Sequence, residues 1–264
     1  MKPIRVVVQG AFGKMGQEVC LALCREPDTE MVGAIDVAAK DTFPLPDGSK
    51  TVPVFKNAEK ALAKLKPDVL VDFSLASVTM PAVSAASANG VHMVIGTTGF
   101  SQDELAEIDT LALSGDIEVV VAPNFALGAI LMMHLAKISA RYFDNVEIIE
   151  GHHQGKIDAP SGTALATAKC MSAARGKPFK APPSPPGKDS RGQEVEGIPI
   201  HSLRLPGLLA QQEIIFGAAG QTLSIKHDTI NRECFMPGVI LAVKEIGKNK
   251  GLSYGLESLL GLQE

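Results

Sequence analysis

The sequence predicts an α/β protein, built on a doubly wound parallel sheet and joined to a second, α+β part with a mixed sheet. Three observations carry that reading. Through the first 125 residues, short apolar runs rich in β-branched residues alternate with helical patterns, as parallel strands linked by crossover helices require. Glycines punctuate the first strand-to-helix turn, in QGAFGKMG. Toward the end, the strand-like runs QQEIIFGA and QTLSIKHDTI are separated by a few small residues, too few for a parallel crossover, so they pair as a hairpin.

In chain order, IRVVV (4–8) is a buried strand, and the amphipathic QEVCLALCRE that follows the glycine turn is a helix. Gly10 turns the chain sharply out of the strand. Gly13 allows bare backbone to approach a pyrophosphate, and Gly16 allows the helix to pack closely on the sheet. The spacing is G-x-x-G-x-x-G, with Phe12 at the usual second glycine, and an ordinary tight turn would use glycines too. Asp36 closes the second apolar run, MVGAI, twenty residues after Gly16, where a dinucleotide fold places the acid that holds a ribose hydroxyl. DVLVDFS, helical TMPAVSAASANG, VHMVIGTTG, helical SQDELAEIDTLAL with a Ser101–Glu104 capping box, and IEVVVAPNF continue the alternation. GTTG (96–99) and APNF (122–125) then fall on the same sheet edge as residues 10–16 and Asp36.

A second domain begins near Ala126. Helical ALGAILMMHLAKISARY leads to the strand NVEIIEG, and residues 163–175 read as a helix. KPFKAPPSPPGKDSRGQEVEG is too rich in Pro, Gly and charge for regular structure and reads as a long surface loop. IPIHSLRL and the hairpin complete a mixed sheet. The helical MPGVILAVKEIG has no legible strand after it, and its return to the first domain is left open.

Composition narrows the partners. At 264 residues, 45% hydrophobic and 20% charged, the chain is an ordinary globular protein with a net charge of -4, which argues against nucleic acid or an anionic membrane surface as partner. The best apolar run, FALGAILMMHLA, stops after twelve residues and contains His134, short of a membrane span. MKPIRVVVQG runs straight into a strand, so a cytoplasmic protein is expected. Cys20, Cys24, Cys170 and Cys234 show no ligand-like grouping, so no metal site is expected; Cys20 and Cys24 pack on a helix as small hydrophobes.

The chemistry concentrates in EGHHQGKIDAPSGTA (150–164). Ser161, Gly162 and Thr163 open a helix whose free amides form an anion site, and Lys156 adds a positive charge upstream. A carboxylate fits such a pocket. His152 and His153 can give or take a proton near neutral pH, and on an extended backbone they point to opposite faces. Alternatives stay open for each residue alone: a surface histidine pair, a metal pair lacking a third ligand, a solvated lysine, a turn aspartate at Asp158. Together with the nucleotide edge, the cluster suggests hydride delivery to an acidic small molecule whose product is also protonated.

Here the chain resembles the 4-hydroxy-tetrahydrodipicolinate reductase family, also called dihydrodipicolinate reductase, of the diaminopimelate route of lysine biosynthesis. GAFGKMG, GTTG, APNF, EGHHQGKIDAPSGTA, RLPGLLAQQEIIFG and IKHDTINRECFMPGV carry the resemblance over nearly the full chain. It implies an NADH- or NADPH-dependent oxidoreductase with a Rossmann domain of residues 1–125 and 233–264. An inserted α+β domain, residues 126–232, would bind substrate and build a homotetramer, with hinges near Phe125 and Arg232. Cofactor contacts map onto Gly10, Ala11, Phe12, Gly13, Lys14, Met15, Asp36, Gly96, Thr97, Thr98, Ala122, Pro123, Asn124 and Phe125. His152 matches the proton donor or acceptor and Lys156 a second proton donor. His153, Gly162 and Thr163, with Ser161 at the same helix start, match the binders of a small dicarboxylate substrate.

The implied reaction sends hydride to ring carbon 4 and a proton to carbon 3. This chain carries Gln154 where many members have Arg, and Gln211 where some have His. Val-Ala-Ala follows Asp36 with no arginine to receive a 2′-phosphate, so NADH is expected to serve at least as well as NADPH, a preference Lys40 would soften. The rival readings are another Rossmann oxidoreductase acting on an amino or sugar acid, and a catalytically silent nucleotide sensor.

Overall fold

A computed structural model describes residues 2–37, 41–180 and 190–262. Lys40, the alanines after Val37, and residues 181–189 of the Pro-rich stretch lie outside the described residues. The chain forms two compact units, residues 1–126 with 232–264, and residues 127–231.

The first unit begins with β1 (Ile4–Gln9), whose Val6, Val7 and Val8 are fully buried, each contributing about 1.5–3 kcal/mol of apolar burial. Helix α1 (Lys14–Arg25) buries Gly16, Val19, Cys20 and Leu23, the i, i+3, i+4, i+7 stripe of a helix lying on a sheet. Burial pushes the Cys20 thiol up to about 12, so it packs as a hydrophobe. Next come β2 (Thr29–Ile35), β3 (Thr42–Pro44), β4 (Thr51–Phe55), α2 (Ala58–Leu65), β5 (Val69–Asp72), α3 (Ala76–Asn89), β6 (His92–Ile95), α4 (Gln102–Ser114) and β7 (Glu118–Val121). The capping box at the start of α4 is present, with Ser101 accepting from the Glu104 amide and the Glu104 carboxylate accepting from the Ser101 amide.

The second unit runs through α5 (Leu127–Ser139), β8 (Asn145–His152), α6 (Gly162–Arg175), β9 (Gln193–Val195), β10 (Ile198–Arg204), β11 (Ala210–Ala218) and β12 (Gln221–Thr229). Its five strands lie in the order β12-β11-β8-β10-β9. β8 and β10 are parallel and the remaining pairs antiparallel, a mixed sheet in which β11 and β12 form the expected hairpin. The core here joins Met132 and Ala136 of α5 and Ala164, Ala168 and Met171 of α6 to Ile148, Ile200, Ile214 and Phe216 of the sheet. The stretch read as one long loop contains β9, because Gln193, Glu194 and Val195 find backbone partners on β10.

The chain then returns to the first unit through a 3-10 turn, α7 (Met236–Glu245) and β13 (Gly251–Tyr254). A strand therefore does follow the last helix: β13 pairs in parallel with β7 and extends the first sheet. That sheet has the order β13-β7-β6-β5-β1-β2-β4-β3. Only the short β3 is antiparallel to its neighbour. The order reverses between β1 and β5, the switch point of a doubly wound Rossmann-type sheet, where the carboxyl ends of strands leave a crevice for a ligand.

Candidate active site

At the switch point the turn after β1 is shaped by close approach. Gly10 has φ +78°, and a Cβ there would lie 2.4 Å from the carbonyl oxygen of Phe73. A Cβ on Gly16 would lie 2.0 Å from the carbonyl oxygen of Gly10, so α1 can seat on β1 only through a glycine. Gly13 is the N-cap of α1 and no side chain caps the helix, which leaves its first amides facing outward with the positive end of the helix dipole. The Asp36 carboxylate accepts from the Phe12 amide at 3.1 Å, tying the acid at the end of β2 to the glycine turn. The Phe12 ring packs edge-on against Phe43 of β3 at 5.0 Å between centroids. The bulky residue at the second-glycine position thus turns toward the edge strand. Lys14 is exposed and Met15 half-buried.

The other loops of this edge are fixed by a buried acid. Asp72, fully buried at the end of β5, accepts from Gln9 Nε2 (2.9 Å), Ser74 Oγ (2.5 Å), Thr79 Oγ1 (2.6 Å) and Thr97 Oγ1 (2.8 Å). Thr97 Oγ1 also accepts from the Ser74 amide at 2.9 Å. Its hydroxyl is therefore occupied within the protein, while Thr98 is exposed. A Cβ on Gly96 would fall 2.1 Å from the Phe73 ring. Ala122 is buried with its amide on the Ile95 carbonyl, Pro123 is exposed, and Asn124 accepts from the Ala126 amide in an Asx turn. Phe125 is buried against Phe73. Thr97, Thr98, Pro123 and Tyr254 line a cleft of about 110 Å³. Residues 10–15, Asp36, 96–98 and 122–125 thus all lie at the carboxyl ends of parallel strands of one sheet.

In the second unit β8 ends at His152, and His153 starts a turn in which the Lys156 amide donates to the His153 carbonyl at 3.0 Å. His153 is exposed and His152 half-buried. Glu150, two residues before His152 and so on the same face of the strand, is fully buried. Its Oε2 lies 2.6 Å from His152 Nδ1. Arg204, which faces His152 in the β8–β10 register, donates to both carboxylate oxygens at 3.0 and 2.9 Å. The Ser161 amide donates to Oε1 at 3.3 Å. Arg204 reaches further: its Nε donates to the Lys156 carbonyl at 3.1 Å and its Nη2 to the Asp158 carbonyl at 2.5 Å. The Lys156 ammonium lies 2.8 Å from the Asp158 carboxylate. Ser161 caps α6 by accepting from the Ala164 amide at 3.2 Å, which leaves the amides of Gly162 and Thr163 without partners inside the helix. Gly162 is exposed and has open space where a Cβ would be.

The electrostatics follow. Burial pushes the Glu150 carboxyl up, but the Arg204 guanidinium, with help from Ser202 and His152, outweighs it and holds the group below the usual glutamate range. Burial lowers His152 below an ordinary histidine; the Glu150 carboxylate opposes this and the charges of Lys156 and Arg204 assist it. Glu150 and Arg204 are the residues that sequence reasoning missed. The two-residue period of Glu150-Gly151-His152 on a strand was the available signal for the first; Arg204 is 54 residues away and is placed by sheet register.

A dinucleotide edge on a doubly wound sheet, with a histidine–lysine cluster beside a helix N-terminus on a second, mixed-sheet unit, defines the chain as a nicotinamide-dinucleotide-dependent reductase. Family models described as dihydrodipicolinate reductase, N-terminus and C-terminus, match residues 4–125 and 128–260. The chain belongs to the dihydrodipicolinate reductase family. A 4-hydroxy-tetrahydrodipicolinate reductase of Dehalococcoides mccartyi is 55% identical over 263 residues, covering 99% of this chain and all of the relative. One of Listeria monocytogenes is 45% identical, covering 97% of this chain and all of the relative. The solved dipicolinate-bound dihydrodipicolinate reductase of Paenisporosarcina sp. TG-14 has a TM-score of 0.86 at 40% identity, covering 97% of this chain and 99% of that one. An amine dehydrogenase of Mycobacterium smegmatis, at TM-score 0.66 and 15% identity over 95% of this chain and 94% of that one, shares the fold alone.

Proposed function

We propose that this chain reduces 4-hydroxy-tetrahydrodipicolinate, or its dehydrated form dihydrodipicolinate, to tetrahydrodipicolinate in the diaminopimelate route of lysine biosynthesis. The observation that carries the reading is the run from His152 to Thr163, which brings a half-buried imidazole, a lysine and a helix N-terminus around one buried carboxylate–arginine pair. The first unit fits a dinucleotide: the Gly10–Gly13 turn leaves room for pyrophosphate at the uncapped start of α1, and Asp36 offers acceptor oxygens for a ribose. Residues 10–15, Gly96 to Thr98 and Ala122 to Phe125 would line the rest of that site. A nicotinamide held there would supply the hydride, for ring carbon 4 of the substrate.

The chain's own residues handle binding and the proton. His153 and the amides of Gly162 and Thr163, next to Ser161, would take the substrate carboxylates, with the α6 dipole favouring negative charge. His152 or Lys156 would give the proton to carbon 3. Positive charge from Lys156 would stabilise the anion left by hydride addition. The Asp158 carboxylate holds the Lys156 ammonium until a substrate carboxylate competes for it. The second unit would also assemble a homotetramer, and the enzyme would work in the cytoplasm. Val37, directly after Asp36, offers no charge to a 2′-phosphate, which supports NADH serving at least as well as NADPH. Mixing the protein with freshly generated hydroxy-tetrahydrodipicolinate and either nucleotide, and following the loss of reduced-nicotinamide absorbance, tests the reading. Turnover with NADH at a kcat/KM equal to or above that with NADPH is expected. No turnover with either nucleotide would overturn the function, and a large NADPH advantage would overturn the preference.

A further inference from the structure

Among the groups assigned to the substrate, Glu150 meets only His152 and the Ser161 amide, yet both of its carboxylate oxygens are bonded. Its carboxylate accepts from two guanidinium N–H groups of Arg204, the Ser161 amide and the Ser202 side chain, with the His152 ring nitrogen at 2.6 Å. An ionised carboxylate only accepts, so the ring nitrogen that meets it must carry a hydrogen. We propose that Glu150, kept ionised by Arg204, is a positioning residue that takes the Nδ1–H of His152 and thereby makes Nε2 the ring atom that exchanges the proton with substrate. The proposal deepens the assignment of His152 to proton transfer and rests on it.

Arg204 has a second consequence for the ring. A lone buried carboxylate at 2.6 Å would lock His152 as imidazolium, which would be a poor donor. The guanidinium, bidentate on the same carboxylate, offsets that charge. The charged groups that face the ring are Glu150 from its own strand, Arg204 from β10 and Lys156 from the following turn. Burial and the two cations outweigh the carboxylate, so the ring titrates below an ordinary histidine and its proton can leave. The imidazolium gives up its Nε2 proton to the substrate carbon, becomes the neutral Nδ1–H form that Glu150 favours, and is reprotonated from water. The same guanidinium holds the Lys156 and Asp158 carbonyls, so both proton-carrying groups are set by one buried pair.

The pair can be told from a merely structural salt bridge because its halves push the ring in opposite directions. With ¹⁵N-histidine-labelled full-length protein, and His152 assigned by its loss in His152→Asn, the ring nitrogens report tautomer and titration directly. The wild type should show Nδ1–H with a free Nε2. In Glu150→Gln the midpoint of His152 should fall by about one pH unit or more, and the tautomers should mix. In Arg204→Gln the midpoint should rise, since an uncompensated carboxylate remains beside the ring. Glu150→Asp, which keeps the charge and guards against a folding defect, should retain the Nδ1–H form. Turnover of Glu150→Gln should drop about tenfold or more, out of the 10²–10⁴-fold that general acid–base catalysis supplies, at unchanged dinucleotide KM. Midpoints that stay put, or move the same way in Glu150→Gln and Arg204→Gln, would overturn the proposal whether or not the substrate is correct. Spectra that behave as stated while His152→Gln keeps full turnover would instead show that His152 moves no proton, and Glu150 would then have nothing to position.

Discussion

A methyl group at position 16 would lie 2.0 Å from the Gly10 carbonyl oxygen, 2.7 Å from its carbon and 2.8 Å from the Ala11 Cα, all of them backbone atoms. No rotamer change relieves such contacts, so Gly16→Ala must push α1 away from β1, at a cost of about 1–3 kcal/mol. Gly13 is different: its added Cβ would meet only the Gly10 oxygen, at 3.2 Å. Thermal unfolding should therefore show a lowered Tm for Gly16→Ala and a Tm near the wild type for Gly13→Ala, while titration with NADH shows weakened binding in both. A Gly16→Ala protein as stable as the wild type would contradict this account of the turn. These glycines were legible because each answers a local demand within a few residues. Arg204 was not, because its pairing with Glu150 across 54 residues leaves no local pattern, and without that partner the two-residue spacing of Glu150 and His152 did not mark the acid out. Gly151 belongs to the same group: it faces Gln211 in the β8–β11 register, where a Cβ would come within 2.8 Å of the Gln211 amide nitrogen.

At the scale of elements, β13 shows what apolar patterning cannot find. GLSY has no run of β-branched residues, and its place at the sheet edge is secured by a side chain from the neighbouring strand. Glu118 of β7 is fully buried, and its carboxylate accepts from the Gly247 amide (2.8 Å), the Asn249 amide (3.0 Å) and Ser253 Oγ (3.1 Å). Burial pushes the carboxyl up, but the Asn249 and Gly247 amides and the side chains of Ser253 and Asn249 outweigh it and leave it lowered. The sign follows from linkage. A carboxyl whose folded pKa lies below its unfolded value of about 4.3 contributes stability that is fully present above that value and is lost as pH falls through the folded pKa. Glu118→Gln presents an amide to those donors and should cost about 1–3 kcal/mol near pH 7. Denaturant unfolding across pH should show the gap between wild type and variant narrowing below about pH 4. A gap that stays constant into acid would rule out an ionised Glu118 as the clamp. β3, β4 and β9 escaped the sequence reading for a related reason: TFP, TVPVF and QEV are short, interrupted by proline or polar, and are strands because a neighbour supplies their hydrogen bonds.

For the whole molecule, the division into a parallel and a mixed sheet was readable from spacing alone, since helices fit between the early strands and not between β11 and β12. The return of the chain to the first sheet was not, because α7 and β13 pack there through contacts no local pattern announces. The first unit carries an edge suited to a dinucleotide, and the second carries the groups proposed to bind an acid and move a proton. No helix of the described residues is long and apolar enough to cross a membrane. We propose that His152 and Lys156 act in the chemical step rather than in binding. Steady-state kinetics of His152→Gln and Lys156→Met on hydroxy-tetrahydrodipicolinate with NADH test it most directly. The account predicts kcat reduced by about 10²-fold or more in each, with the KM for NADH unchanged. Wild-type kcat in both variants would contradict it.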